Sequence, residues 1–588
     1  MQGQSSTPQG TGPAIFDRRF ARNLWRLTRV YWTSSDAPRG GLLLTLAIGL
    51  ELGTVFGNVM LADGQRRIFD ALQDKDGTAF FAAILAFLVA VLGFVGASTL
   101  RVYVRQVLEI RWRERVTAYY LERWIRPLTF CQDRLHQQET DNPDQRIAED
   151  IRDYVASTLG LSLSLLSAVV TLISFGGLLW SLSGEWAVHI SGKELHIPGL
   201  MLWVAILYAI FATWLTHRIG RPLVPINFAR QRVEADFRFD LVRFRQNVES
   251  VAFSRGEDMV RTRSLDRFRK IIENWSQLIR AQLNLNLLTT GTGELNGIVP
   301  LLVAAPAYFA GRLTLGGVAQ TRIAYAQVSG ALSWAVNAYQ EIARWRASIE
   351  RLVSFTEVMD ETLTQVQMAG VQVVPSKTPN LKIEDLRLQL PDGTVLLDGV
   401  NATVSPGDRI ALLGPLGTGK TALMRAVAGI WPFGKGLIEI PPGDRVFIVP
   451  PRPYLPIGSL REAAAFPSPP DSFSDEWIRA ILRLLDLGHL ENRLDDVDNW
   501  DQVLSTGEEQ RLGLARAFIQ KPDWLLIDNA TVGLDDASER RIYASLFQRM
   551  PRSTVISIAH HPEVAGYHTR QWSFAPGTAG GPATLAMT

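Results

Sequence analysis

Long apolar runs constrain this 588-residue chain more than any other feature of its sequence. AFFAAILAFLVAVLGFVGAS (79–98) and LGLSLSLLSAVVTLISFGGLLWSL (159–182) contain no charged residue. A run of about 20 such residues crosses a hydrocarbon core as one helix, because only a helix satisfies its own backbone there. Segments near 41–62, 198–217, 286–310 and 318–340 approach the same pattern, although the last turns polar in ALSWAVNAYQEIARW. Six membrane helices are therefore expected, all before residue 355. The alternative is a set of buried core helices, which runs this long and this uncharged do not favour.

The connections between these runs alternate. Segments 63–78, 183–197 and 311–317 are short, while 101–158 and 218–285 are long and helix-patterned. The long ones carry Arg101, Arg105, Arg111, Arg113 and Arg115, then Arg218, Arg221, Arg230 and Arg232. Basic loops stay on the cytoplasmic side, so both chain ends are expected there too. FDRRFARNLWRLTRVYW (16–32) interleaves arginine with tryptophan and reads as an amphipathic interfacial helix.

The membrane pattern stops around 356–380, and alternating strands, Pro-Gly turns and soluble helices follow. The expected organisation is a disordered tail over 1–15, a membrane domain over 16–360 and a linker over 361–379. A soluble domain then covers 380–574, and a second disordered tail 575–588. Net charge is only +2, so nucleic acid is not an expected partner. The single cysteine, Cys131, excludes an intrachain disulfide and a zinc cluster.

The soluble part holds DRIALLG, then GPLGTGKT (414–421), then ALMRAVAGI. This is a phosphate-binding loop in its strand–loop–helix context. Within the loop formed by Gly414, Pro415, Leu416, Gly417, Thr418 and Gly419, the glycines let backbone N–H groups turn towards phosphate oxygens (Pro415 has none to offer), and Ala422 continues the helix whose N-terminus faces them. Lys420 is placed to reach the β- and γ-phosphates, and Thr421 to ligate Mg2+. Asp528, at the end of the apolar run Trp524–Ile527, supplies a second contact to the metal. ATP and Mg2+ are the expected cofactors.

Between these motifs stands LSTGEEQRLGLARA (504–517), which resembles the signature of an ATP-binding-cassette protein. The resemblance implies that Ser505, Gly507 and Glu508 complete a nucleotide site held by the opposite subunit. It makes Asp535 the D-loop aspartate and His560, in VISIAHHP, the switch histidine. RWRERVTAYYLERW (111–124), DNPDQRIAED (141–150), EADFRFDLVRFRQNVESVAFSRGE (234–257) and VAAPAYFAGRLTLGG (303–317) are similar to SbmA/BacA-type transporters fused to a cassette, cousins of the peroxisomal fatty-acyl half-transporters. That likeness covers roughly 17–574. It implies an α-helical membrane domain fused to an α/β P-loop domain, working as a dimer of half-transporters in a bacterial inner membrane. It implies ATP-driven uptake of peptides or other large hydrophilic solutes. A fatty-acyl carrier, a proton-coupled transporter with a regulatory cassette, and one half of a heterodimer stay open.

Three positions depart from that family, and all three touch the nucleotide. Asn529 stands where the catalytic glutamate belongs, and a neutral amide cannot accept a proton from the attacking water. Loss of a general base costs about 10²–10⁴-fold. Pro451 replaces the Q-loop glutamine, and Leu390 replaces an adenine-stacking ring. Glu51 and Glu294 fall within membrane runs, where a carboxylate faces a water-filled cavity, binds a cationic solute or relays protons.

Overall fold

The computed structural model describes residues 18–125, 142–183, 185–190, 193–368, 370–441, 445–558, 562–577 and 581–588. The expected tail 1–15, most of the segment between 124 and 143, Cys131 and His560 lie outside them. The described chain forms two compact units: residues up to 121 with 143–355, and residues 122–125 and 142 with 356 onward.

The first unit is helical. α1 (Arg18–Trp32), α2 (Ala37–Gln73), α3 (Gly77–Trp124), α4 (Ile151–Ser183), α5 (Leu200–Gly220), α6 (Leu223–Gln246), α7 (Glu257–Phe309), α8 (Leu315–Leu332) and α9 (Trp334–Met368) follow in order. Five of these, α2, α3, α4 (with the 143–150 segment before it), α5 and α7, are long and apolar enough to cross a membrane. The expected sixth run, 318–340, is broken at Ser333, which caps α8 before α9 begins. α8 is too polar to qualify: Gln320, Thr321 and Ser329 sit on its buried surface beside Gly316, Gly317 and Ala324. Small residues let a helix approach its neighbours closely, and Ala324, Tyr325 and Val328 join Phe175, Leu179, Met201 and Ala304 in one core. α3, by contrast, turns Phe81, Leu85, Leu88 and Leu92 outward.

Two connections depart from expectation. The short link 183–197 contains a hairpin of β1 (Glu185–Ile190) and β2 (Lys193–Pro198). α1 does not offer its apolar face to a bilayer: Phe20, Leu27 and Tyr31 are buried against the unit, with Phe20 edge-on to Trp345 and Tyr31 stacked on Trp112. Of the carboxylates in the membrane runs, Glu51 is buried, and Arg101 Nη1 donates to its Oε1 at 2.8 Å, so α2 and α3 are joined by an ion pair. Glu294 is exposed.

Two large sheets lie among the described residues of the second unit. β3 (Val371–Pro375), β4 (Leu381–Gln389), β5 (Val395–Val404) and β7 (Gly434–Ile440) form one, in the order β3–β7–β4–β5. β6 (Arg409–Leu413), β8 (Val446–Val449), β9 (Trp524–Ile527), β10 (Thr554–Ile558), β11 (Arg570–Ala575) and β12 (Thr584–Met587) form the other, in the order β12–β11–β6–β10–β9–β8. Five of its strands are parallel, and β9 and β10 are buried along their whole length. That is why WLLI and TVISI read as continuous apolar runs rather than alternating ones. The helix α10 (Lys420–Val427) buries Leu423, Met424 and Val427 in a core shared with β4, β5 and β6. α11 (Asp475–Leu484), α12 (Thr506–Gln520) and α13 (Asp536–Arg549) bury Ile478, Leu514 and Leu546 in a second core.

Two expected boundaries are corrected. The stretch 361–379 is not a bare linker, since α9 runs to Met368 and β3 follows. Nor is 575–588 a free tail: Trp572, Phe574, Leu585 and Met587 pair across β11 and β12 and pack on the core. An apolar-alternating TLAM after a Gly-rich stretch was too short to stand out by pattern.

Candidate functional site

The phosphate loop begins where β6 ends between β10 and β11. Gly414 has φ +133°, and a Cβ there would meet the Phe574 carbonyl oxygen at 2.3 Å, so only glycine fits. Gly417 (φ +80°) and Gly419 (φ +89°) complete the turn. Thr418 Oγ1 donates to the Pro415 carbonyl at 2.9 Å and pins the loop from within. Lys420 is buried, and its Nζ donates to the Gly414 and Pro415 carbonyls at 2.6 and 2.7 Å. Burial lowers its pKa, and an anion brought beside it favours the charged form. Leu416 projects outward at the tip, 87% exposed. Ala422 is buried on the first turn of α10.

Thr421 and Asp528 come together as expected. Thr421 Oγ1 donates to Asp528 Oδ1 at 3.1 Å, and Asp528 is held in place by its backbone N–H on the Val449 carbonyl. A hydroxyl and a carboxylate oxygen side by side, next to the loop, form a hard oxygen donor set of the kind Mg2+ takes. Asn529 has φ +53° and donates Nδ2 to that same Asp528 oxygen at 3.0 Å. The amide thus adds a donor, not a base, at this position.

A cavity of about 300 Å3 is bounded by the loop, Arg425, Leu390, Leu396, Trp431 and Asn529. Leu390 is on its wall. Trp431 is the aromatic the sequence reading missed: it is buried, with its Nε1–H on the Gln389 carbonyl and the Arg425 guanidinium 5.8 Å over its ring. Nothing in WPFGK marks that tryptophan as a wall residue. A second cavity, about 590 Å3, shares Leu416 and Asn529 and is lined by Pro451, Thr506, Gln510 and Glu539. Gln510 bridges its rim, donating Nε2 to the Pro451 carbonyl at 3.3 Å and accepting the Gly533 N–H at 2.9 Å. So Pro451 still makes a polar contact, through its backbone. Glu539 is buried and accepts from Thr531 Oγ1 at 2.6 Å.

The signature residues stand at the start of α12. Ser505 is its N-cap, and Glu508 accepts from both its N–H (2.9 Å) and its hydroxyl (2.7 Å). His489 Nε2 lies 3.0 Å from Glu508. Burial opposes the charge on Glu508, but the Ser505 bonds, then His489 and Arg511, outweigh it and hold the carboxyl below its ordinary range. Gly507 leaves the surface open beside them: a Cβ added there would meet Gly533 O and Leu534 at 3.6 and 3.9 Å, ordinary van der Waals contact. Asp535 caps α13 by accepting the Ser538 N–H at 3.1 Å, and the Ser538 hydroxyl, followed by that N–H, lowers its pKa. His560 lies outside the described residues, but its strand β10 is held by Ser557. Ser557 Oγ is 2.7 Å from His568 Nε2, and His568 Nδ1 is 2.9 Å from the Val564 carbonyl. The carbonyl can only accept, so Nδ1 carries the proton and Nε2 accepts from Ser557. Burial first, and Arg409 in addition, push the His568 pKa down to about 4.

Residues 27–309 match the family described as ABC transporter transmembrane region 2, and residues 397–532 match ABC transporter. The chain is 32% identical to the inner membrane ABC transporter ATP-binding protein YddA of Escherichia coli (strain K12), over 92% of this chain and 94% of that protein. It is 31% identical to ABC transporter D family member 2, chloroplastic, of Arabidopsis thaliana, over 93% and 85% of the two chains. Among solved structures it resembles a bacterial Atm1-family ABC exporter with ATP bound, with TM-score 0.67 and 19% identity over 92% of this chain and 94% of that one, a likeness of fold. One chain holding both the membrane region and the cassette, alike over nearly its full length to such a relative, belongs to the ABC transporter family as a half-transporter whose cassette is an ATPase coupled to transport.

Proposed function

We propose that two copies of this chain form an SbmA/BacA-like transporter in a bacterial inner membrane. It takes up peptides or other large hydrophilic solutes, and its termini and cassettes are cytoplasmic. α8 acts as the sixth span, tolerated because its polar groups face the bundle rather than lipid. The observation that carries the hydrophilic-solute reading is a polar ladder inside that bundle. Tyr208 on α5 donates to the Thr292 carbonyl on α7, and Ser329 on α8 donates to Asn296 one turn further along at 3.3 Å. The Tyr325 hydroxyl is buried in the same bundle without a hydrogen-bond partner among the described residues. Unsatisfied groups at membrane depth are costly and mark solute paths.

In this reading Lys420 and the loop N–H groups hold the phosphates, and Thr421 and Asp528 hold Mg2+, which screens phosphate charge when bound. Ser505, Gly507 and Glu508 of one copy complete the site of the other, with Asp535 at the joint, and His560 contacts the γ-phosphate. Asn529 orients the attacking water through its amide and leaves it without a strong base, so turnover is slow. Glu51 is tied up by Arg101 and is a poor proton carrier, which favours ATP over a proton gradient. The D-family relative favours a second reading, an acyl-chain carrier. Proteoliposomes separate the readings. Uptake of a labelled hydrophilic peptide, but not of a labelled acyl chain, with loss of uptake in Lys420→Ala, supports the first. Acyl uptake alone supports the second, and peptide uptake unaffected by Lys420→Ala contradicts both.

A further inference from the structure

With an amide at Asn529, the proton of the attacking water has no acceptor where a base would stand, yet a carboxylate borders the same cavity. Of the described residues lining the space of about 590 Å3 beside Asn529, Glu539 is the one carboxylate. It is buried on the first turn of α13, and Thr531 Oγ1 donates to its Oε1 at 2.6 Å. Thr531 lines the same space, two residues beyond Asn529 on the segment that leaves β9. Its hydroxyl has one proton, and that proton is committed to Glu539, so it offers the cavity its oxygen lone pairs. The backbone here is held in place: the Leu534 N–H donates to the Thr531 carbonyl at 3.0 Å, and the Gly533 N–H to Gln510 Oε1 at 2.9 Å. Asp528 is engaged on the other side, its Oδ1 accepting from both Thr421 and Asn529.

We infer that Glu539 is the proton acceptor of this cassette, reached through the Thr531 hydroxyl, and that the pair supplies the ATP turnover left by Asn529. The attacking water gives one proton to Thr531 Oγ1 as its oxygen bonds to the γ-phosphorus, and Thr531 passes its own proton to Glu539 Oε1. The bond from that phosphorus to the bridging oxygen breaks with its electron pair on ADP, so the products are ADP and inorganic phosphate. Glu539 then returns its proton to water in the cavity. In a low-dielectric pocket the members of such a chain polarise one another, which favours transfer along it. An acceptor one hydroxyl removed pulls less on the water than a carboxylate beside it, so the route is slower than the one open to Asn529→Glu. This role for Glu539 rests on the slow-site reading of Asn529 above and names the residue behind the rate that remains.

Glu539→Gln is the informative change, because an amide oxygen still accepts the Thr531 hydroxyl but takes no proton. In the full chain in lipid nanodiscs, Glu539→Gln is expected to lower ATP turnover to the Lys420→Ala background. In Asn529→Glu, where a carboxylate stands beside the water, adding Glu539→Gln is expected to leave turnover unchanged. Thr531→Val should repeat both results, and Thr531→Ser should keep the native rate. Binding of a fluorescent ATP analogue and the melting temperature of Glu539→Gln are expected to match those of the native chain. Equal fold losses in the native and Asn529→Glu backgrounds, or lost ATP binding, would overturn the proposal by showing a structural contact. So would a native rate that Glu539→Gln leaves untouched, or one already at the Lys420→Ala background. A native rate equal to that of Asn529→Glu refutes the slow site instead, and Glu539 keeps its role if Glu539→Gln still abolishes that rate. Peptide uptake is read separately, so failure of the transport reading leaves this result standing.

Discussion

At the scale of single residues, one side chain sets the rate expected of the site. Asn529 shares Asp528 Oδ1 with Thr421, and in the proposed mechanism it supplies a donor where a base would stand. Asn529→Glu is therefore expected to raise ATP turnover by about 10²-fold or more. His568 gives a second residue-scale prediction, with a sign. Its folded pKa of about 4 is below the ordinary value near 6.5, so the unfolded chain binds its proton first. The stability it contributes is complete above about pH 6.5 and is lost as pH falls towards 4. A cassette carrying His568→Asn should lose less melting temperature over that window than the unaltered one, and parallel melting curves would contradict this. The phosphate loop, Asp528 and Ser505 were legible because each chemistry needs fixed residue types at fixed spacing. Trp431, Glu539 and His568 were not, because they reach the site or its strands by tertiary packing from segments with no pattern of their own.

At the scale of elements, the membrane helices divide by what they pack against. The apolar runs in α2, α3, α4, α5 and α7 were readable because lipid asks only for apolar length. α8 was misread in extent because its environment is other helices, so its sequence is polar and small-residue rich and ends at Ser333. The amphipathicity of α1 was legible, but not that protein covers its apolar stripe, since protein and bilayer ask the same of such a stripe. The pairing of α2 with α3 makes a prediction. Arg101→Ala strands a buried Glu51 and should cost about 3–5 kcal/mol, whereas Glu51→Gln with Arg101→Gln should cost less. Melting in detergent checks this, and equal losses would show that the pair carries no coupling. Ser505→Ala removes the hydroxyl that donates to Glu508 at the start of α12 and should cost about 1 kcal/mol of cassette stability even with no partner present.

At the scale of the whole molecule, the proposed dimer has the signature of one copy complete the phosphate loop of the other, so mixed dimers give an answer no single chain can. In an Asn529→Glu background, a dimer of one Lys420→Ala chain and one Ser505→Ala chain keeps one complete site and should retain up to half of the turnover. A dimer carrying both changes on the same chain keeps none. Equal activity of the two arrangements would contradict site sharing. The fold at this scale was legible from order alone, membrane runs followed by a P-loop domain, while the two-strand end of the cassette sheet was hidden in a short segment. The most direct test of the account is ATP turnover by the purified chain in lipid nanodiscs, beside Lys420→Ala and Asn529→Glu. The account predicts a native rate above the Lys420→Ala background but far below Asn529→Glu. A native rate equal to that of Asn529→Glu would contradict it, by showing that another group already serves as the base.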